Sequence, residues 1–253
     1  MYADDTVIFS SCNSISEIET EIVSGSGECF SLALKSKLFL NLQKTECLFY
    51  GTRQRLKISG TVDFSVTLDE IPIKFSTVFK YLGDRLDNHL SFNELIDYVA
   101  SKVSQKLGIL SRVRRLLTTK SANRLYNSMV LPLLEYCDVA WHDCCLENQQ
   151  KIERLQRRAS RIVPKNSREL TSDAIIEKLG WKPLPDRREE HFKELVNNCF
   201  RGPDCSCLFK PGYFNTKRYD IHSHNTRFSQ NLFVDKIKLE VSKRAFYYKG
   251  GIF

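Results

Sequence analysis

The chain has 253 residues, 42% of them hydrophobic, and a formal net charge of +8 at pH 7. That apolar content supports a buried core and excludes a disordered tail, while no apolar run reaches bilayer-spanning length and no signal peptide opens the chain, so neither a membrane protein nor a secreted one is expected. Nine cysteines, odd in number and irregularly spaced, fit a reduced intracellular setting (nucleus or cytoplasm) better than a disulfide framework.

The charge is uneven. Residues 1–90 carry 9 Lys/Arg and 12 Asp/Glu, a balance of −3, whereas residues 91–253 carry 29 and 18, a balance of +11. A mildly acidic start and a strongly basic remainder suit metal binding at one end and a polyanion along the rest; a solubilising surface would give the same totals.

The first letters are "MYADD". Asp4 and Asp5 repel each other when both are ionised, unless a cation holds them; an exposed acidic turn serves equally well on these letters alone. "TVIFSS" (Thr6 to Ser11) is β-branched and apolar and predicts a buried strand, with the acids at its end. The strand that should pair ahead of Tyr2 is not in the sequence, so the chain is expected to open inside a domain. Ser14 and Glu17 stand at capping-box spacing before Ile15, Ile18 and Ile22, which recur at helical intervals. "SGSG" (Ser24 to Gly27) is expected to loosen or interrupt that helix, "ECFSLALKSKLFL" to resume it, and "TECLFYG" to form a strand. "DFSVTLDEIPIKF" alternates on either side of Asp69-Glu70 and predicts a hairpin. "TVFKYLGDRL" predicts a further short strand ending near Gly83.

Beyond residue 90 the pattern turns helical. Ser91 and Glu94 repeat the capping spacing, and Leu95, Val99, Val103, Leu107, Leu110, Val113 and Leu117 step by three and four. Lys102, Lys106, Arg112, Arg114 and Arg115 fall outside that stripe. A second helix is predicted over about 121–140, bent at Pro132. A third runs from about Glu147 to Val163, with Ile152, Leu155, Ala159 and Ile162 on one side and Lys151, Arg154, Arg157, Arg158 and Arg161 on the other. Short helices follow near 173–179, ended by Gly180, and near 187–200; residues 202–225 read as loop.

Taken in order, "YADD", "LNLQKTECLFYG", "VFKYLGDRLDNHLSF", "LYNSMVLPLLEYCDVAWH" and "KIERLQRRASRIV" resemble the reverse transcriptase of non-LTR (LINE-type) retrotransposons, from mid-palm through the thumb. The resemblance implies an α/β (α+β) fold. Residues 1–90 would be part of the palm, 91–163 a helical thumb with a basic helix, and 164–253 a C-terminal extension, helical and then loop-rich. It implies RNA-directed DNA synthesis on an RNA template and DNA primer, with deoxynucleoside triphosphates as substrates. Asp4 and Asp5 match the family's paired metal-binding aspartates, and Tyr2 and Ala3 the residues lining the site beneath nucleotide and primer end. Lys44 matches a lysine near the nucleotide phosphates. Phe79, Lys80, Tyr81, Leu82 and Gly83 match the segment that steadies the primer terminus. Two Mg²⁺ ions, about 4 Å apart in such sites, activate the attacking hydroxyl and neutralise the leaving pyrophosphate. Duplex-backbone contact is expected from Lys102, Lys106, Arg112, Arg114, Arg115, Arg154, Arg157, Arg158 and Arg161.

The sequence also departs from that pattern. The family's third aspartate and its fingers lie upstream of the motif at which this chain opens, so this polypeptide is expected to bind Mg²⁺ weakly and not to polymerise alone. Leu32 and Leu95 stand where tryptophan and histidine are common in the family. A non-catalytic nucleic-acid-binding remnant is the rival reading. No membrane and no definite protein partner is implied. Cys144-Cys145, Cys199, Cys205-x-Cys207 and His222-x-His224 invite zinc, but "CSC" is too tight for a common knuckle, and buried or loop cysteines account for them. His142, beside Trp141, reads as a packed helix terminus.

Overall fold

A computed structural model describes residues 5–12, 14–52, 54, 56–57, 65–68, 71–165 and 169–201, which form an α+β chain of long helices and short strand pairs. It divides into two units, Met1–Asp97 and Tyr98–Phe253.

In the first unit, helix α1 (Ile15–Lys35) starts at Ser14, whose hydroxyl accepts the Glu17 N–H at 3.3 Å. The expected interruption at "SGSG" does not occur. Ser26 is buried, and its hydroxyl donates to the Val23 carbonyl at 2.9 Å, so the polar side chain is satisfied inside the helix. Strand β1 (Glu46–Cys47) pairs in parallel with β4 (Lys74–Phe75), and β2 (Thr67–Leu68) pairs antiparallel with β3 (Ile71–Pro72), the predicted hairpin, whose turn residues 69–70 lie outside the described residues.

"TVIFSS" is a correction: Asp5 makes an isolated bridge and residues 6–12 form no strand. The segment instead lies by α1, where Ser10 donates to Glu21 and a Cβ on Gly25 would come within 3.4 Å of Ile8 Cγ2. Residues of high strand propensity form no ladder where backbone partners do not meet them.

"TVFKYLGDRL" supplies both arms of a hairpin. Strand β5 (Val78–Tyr81) pairs with β6 (Asp84–Asp87) in the register Val78↔Asp87 to Tyr81↔Asp84. The two-residue turn has φ of 48° at Leu82 and 97° at Gly83, the primed geometry that matches strand twist and favours glycine. Asp87 then organises the loop that leads into helix α2 (Asn93–Val113). Its Oδ1 accepts the N–H groups of His89 and Ser91, each at 3.0 Å, and its Oδ2 accepts the Phe92 N–H at 2.7 Å and the Ser91 hydroxyl at 3.1 Å. Ser91, the expected cap, accepts the Asn93 N–H at 3.4 Å and is itself held by this carboxylate.

The second unit is helical. A 3₁₀ turn (Arg114–Leu116) follows α2. Helices α3 (Thr119–Met129) and α4 (Leu131–Glu135) then separate at Val130, ahead of Pro132, instead of forming one bent helix. Helices α5 (Leu146–Ile162), α6 (Ser172–Lys178) and α7 (Leu184–Arg201) complete it. Val103, Leu107, Tyr126, Trp141, Ile152 and Ala159 are buried in its core. Tyr126 stacks on Trp181 at 3.8 Å between centroids, and the Trp181 Nε1 donates to Asn123 at 2.7 Å. Gly180, at φ 67°, closes α6: its N–H reaches the Glu177 carbonyl and the Trp181 N–H the Ile176 carbonyl, a Schellman stop.

Helix α7 docks by charge as well as by Phe192 and Val196, which are buried. Arg187 pairs with Glu135, Arg188 with Glu153 at 3.9 Å, and His191 Nδ1 with Asp138 Oδ2 at 2.7 Å. Arg188 is 2% exposed and lies 5.5 Å from the Trp141 ring centroid. Burial lowers its pKa, against the raising effect of Cys144, Glu153 and Asp138. Burial also pushes the Asp138 carboxyl up, more than the hydrogen bond from His191 lowers it. His142 stacks on Phe192 at 5.5 Å, the packing role expected for it.

Asp87 generates a stability prediction. Burial raises its carboxyl, and the hydrogen bonds from Ser91, Phe92 and His89 together outweigh that, so its pKa lies below the ordinary value. A depressed folded-state pKa adds stability that is complete above the unfolded value of about 4 and is lost as pH falls through the folded one. Asp87→Ala is expected to cost about 1–2 kcal/mol in urea unfolding at pH 7. The difference from wild type should shrink on acidification below about pH 4, a test that cancels the opposite contribution of Asp138 because both proteins share it. An unchanged urea midpoint at pH 7 would count against this role for Asp87.

Candidate nucleic-acid interface

Helix α5 has two chemically distinct faces. At 100° per residue, Lys151, Arg154, Arg157, Arg158 and Arg161 fall within an arc of about 120°, roughly opposite the arc of Ile152, Leu155, Gln156, Ala159 and Ser160. The structure follows that division. The second set is buried, whereas Arg154, Arg157, Arg158 and Arg161 are exposed and Lys151 is partly so. From Lys151 to Arg161 the cations extend about 15 Å along the helix axis.

Polar anchors fix this helix in place. Gln156 is buried; its Nε2 donates to the Lys182 carbonyl at 2.9 Å and its Oε1 accepts the Leu184 N–H at 3.3 Å. Gln149 donates to the Cys144 carbonyl at 2.9 Å, holding the first turn. Helix α6 reaches the edge of the cationic face. Asp173 lies 3.5 Å from the Arg157 Nε, and the Arg161 Nε donates to the Ser172 hydroxyl at 3.0 Å. The Arg154 Nε donates to the Gln150 carbonyl of its own helix at 3.2 Å. These contacts pre-orient the guanidinium groups while leaving the side chains exposed, where an ion pair is worth only about 0–1 kcal/mol.

On α2, Lys102 and Arg112 are exposed, Lys106 is half-buried, and the Lys102 Nζ lies 5.5 Å from the Tyr98 ring centroid. Arg115, in the 3₁₀ turn, is exposed. Arg114 is a correction to the expected set of backbone-contacting cations. It is 8% exposed, and its guanidinium is committed internally, donating to the Ile162 carbonyl (3.1 Å), the Leu117 carbonyl (2.7 Å) and the Thr119 hydroxyl (3.2 Å). Two cations that the apolar stripe did not single out, Lys120 and Arg124, are exposed one turn apart on α3.

The residues matched to catalysis are placed less fully. Tyr2, Ala3 and Asp4 lie outside the described residues. Asp5 is exposed. Lys44 is exposed in a turn whose backbone is held by Asn41: the Lys44 N–H reaches the Asn41 carbonyl at 3.0 Å and its Oδ1 at 3.3 Å. Phe79 to Gly83 form the β5 arm and turn described above, with Lys80 exposed and Phe79, Tyr81 and Leu82 half-buried. Among the described residues, no group of three or more His, Cys, Asp or Glu is placed to hold a metal ion. Asp5, outside any such group, does not by itself make a two-ion site. Cys144 is buried, and burial raises its thiol to about 11, against the lowering effect of Arg188, which disfavours the nucleophilic thiolate at neutral pH. The Cys199 side chain and residues 205–224 of the zinc hypothesis lie outside the described residues. No helix among the described residues is long and apolar enough to cross a membrane.

The comparisons bear on origin. No protein-family model matches the chain, and no solved structure does. One curated relative, the retrovirus-related Pol polyprotein from type-1 retrotransposable element R1 2 of Nasonia vitripennis, is 25% identical over 150 residues. The match takes in 56% of this chain and 35% of that polyprotein, so the chain corresponds to about a third of its relative's length. The sequence is thereby related to a retrotransposon Pol polyprotein.

Proposed function

We propose that the chain is a palm–thumb portion of a non-LTR reverse transcriptase, and that its described part grips the sugar–phosphate backbone of a template–primer duplex. The observation that carries the binding reading is the solvent face of α5, where Lys151, Arg154, Arg157, Arg158 and Arg161 lie opposite a buried face. The likeness to a retrotransposon Pol polyprotein and the ordered motifs support the polymerase descent. Contacts of this kind hold register and carry no base information. An RNA–DNA hybrid and deoxynucleoside triphosphates are the partners proposed for the polymerase, with Mg²⁺ assigned to Asp4 and Asp5. The non-catalytic alternative keeps the helices and dispenses with those acids.

Backbone binding is tested by salt dependence. Arg154→Ala/Arg158→Ala is expected to flatten the slope of log K against log salt by about 1.8, the release of two phosphate contacts. Asp173→Asn removes the carboxylate that competes for Arg157 and is expected to tighten duplex binding about twofold, within the range of an exposed ion pair. A slope that ignores the arginines would defeat the reading.

Synthesis is tested separately. The 253-residue polypeptide is expected not to extend a DNA primer on an RNA template, and Asp4→Asn or Asp5→Asn to leave duplex binding unaltered. Template-directed incorporation that disappears in either variant would show the acid pair to be competent in this chain, contrary to the expectation of inactivity.

A further inference from the structure

The turn between α2 and α3 presents an apolar side chain that the core does not use. Leu116 is 87% exposed. A single exposed leucine is ordinary on a protein surface, but three features set this one apart. The first is rigidity: the buried guanidinium of Arg114 bonds the Leu117 carbonyl and the Thr119 hydroxyl immediately beyond it. The second is charge. Arg112, Arg115 and Lys120 are exposed around the turn, and no Asp or Glu occurs between Asp97 and Glu135. The third is continuity. The same guanidinium bonds the carbonyl of Ile162, the last residue of α5, so the turn is tied to the end of the cationic helix.

We infer that Leu116 is an apolar wedge that packs against sugar and base edges in the minor groove of a nucleic-acid duplex, while Arg112 and Arg115 hold the flanking phosphates. The inference rests on the backbone-binding reading above and adds what that reading lacks, a contact whose strength does not come from counterion release. Phosphate contacts weaken steeply with salt and permit sliding. An apolar side chain inserted at a groove excludes water there and resists sliding. The fixed turn means that little loop entropy is lost on contact. A duplex is favoured over a single strand because single-strand sites rely on aromatic platforms. The aromatics between Asp97 and Glu135 are Tyr98 and Tyr126, and Tyr126 is 1% exposed.

The experiment is anisotropy titration of the full chain with a labelled RNA–DNA hybrid across a salt series, for wild type, Leu116→Ala, Leu116→Met and Arg115→Ala. Leu116→Ala is expected to weaken binding about fivefold at every salt concentration with an unchanged slope, the signature of lost apolar burial. Leu116→Met should restore most of the affinity, and Arg115→Ala should flatten the slope by about 0.9. Leu116→Ala binding as tightly as wild type, with the arginine effects intact, would overturn the wedge and leave backbone binding standing. A wild-type chain with no affinity for the hybrid would overturn both. The same variants are titrated with phosphatidylserine vesicles. Vesicle binding lost in Leu116→Ala, with hybrid binding unchanged, would assign the leucine to a membrane surface and refute the proposal.

Discussion

The cationic surface depends on one cation that is withheld from it. Arg114 joins the end of α2, the start of α3 and the end of α5 through three hydrogen bonds to Ile162, Leu117 and Thr119. The Ile162 carbonyl belongs to a helix terminus that has no intrahelical donor left, and the planar guanidinium can serve several such acceptors at once. Burying the charge costs several kcal/mol, which these bonds must offset. A lysine would offer its donors from one point and could not span the same three acceptors. The return on this buried charge is geometric: the turn carrying Arg115 and Leu116 has a fixed position at the end of α5.

Internal ion pairing accounts for more of the positive charge in the second unit. Arg187, Arg188 and His191 lie on one side of α7 and meet Glu135, Glu153 and Asp138. Removing a single partner from Arg188 would leave an almost fully buried guanidinium with still less compensation, and such losses exceed the net worth of the intact pair. The balance of +11 over residues 91–253 therefore overstates what a polyanion would meet. What it meets among the described residues is narrower and more ordered: the outer face of α5, the tip after α2, and the exposed cations of α3.

Long helical periodicity was readable without coordinates. Of the predicted stripes, Ile152, Leu155 and Ala159 on α5 and Leu95, Val103, Leu107 and Leu110 on α2 are buried, while Ile162, Val99, Val113 and Leu117 are half-buried. Leu95 is thus a core residue here. Short strands were not readable to the same degree, because pairing depends on which backbones meet. Thr6 to Ser11 have strand-forming side chains and no ladder, while Asp84 to Asp87, polar at both ends, form one. "SGSG" failed as a break because the Ser26 hydroxyl finds its acceptor one turn back in the helix. Arg114 was hidden by its neighbours. In "RVRRL" nothing local separates a buried arginine from an exposed one, since its acceptors at Ile162 and Thr119 come from other helices.

The two faces of α5 also limit what this surface can recognise. Its outward residues from Gln150 to Arg161 are four arginines, Lys151 and a glutamine, and none is aromatic. Guanidinium groups in a line match a repeating phosphate and are indifferent to the bases beside it. Binding there would be strong at low salt, weak at high salt and equal for all sequences. Under the proposed palm–thumb reading, the chain would need that indifference along its duplex and a defined position at the primer end, two demands that repeating cations cannot meet together. The second demand falls on groups of another kind, which bury apolar surface or bind at one place only. On the described surface of the second unit, the most exposed of the large apolar side chains is Leu116, and it stands where the line of arginines ends.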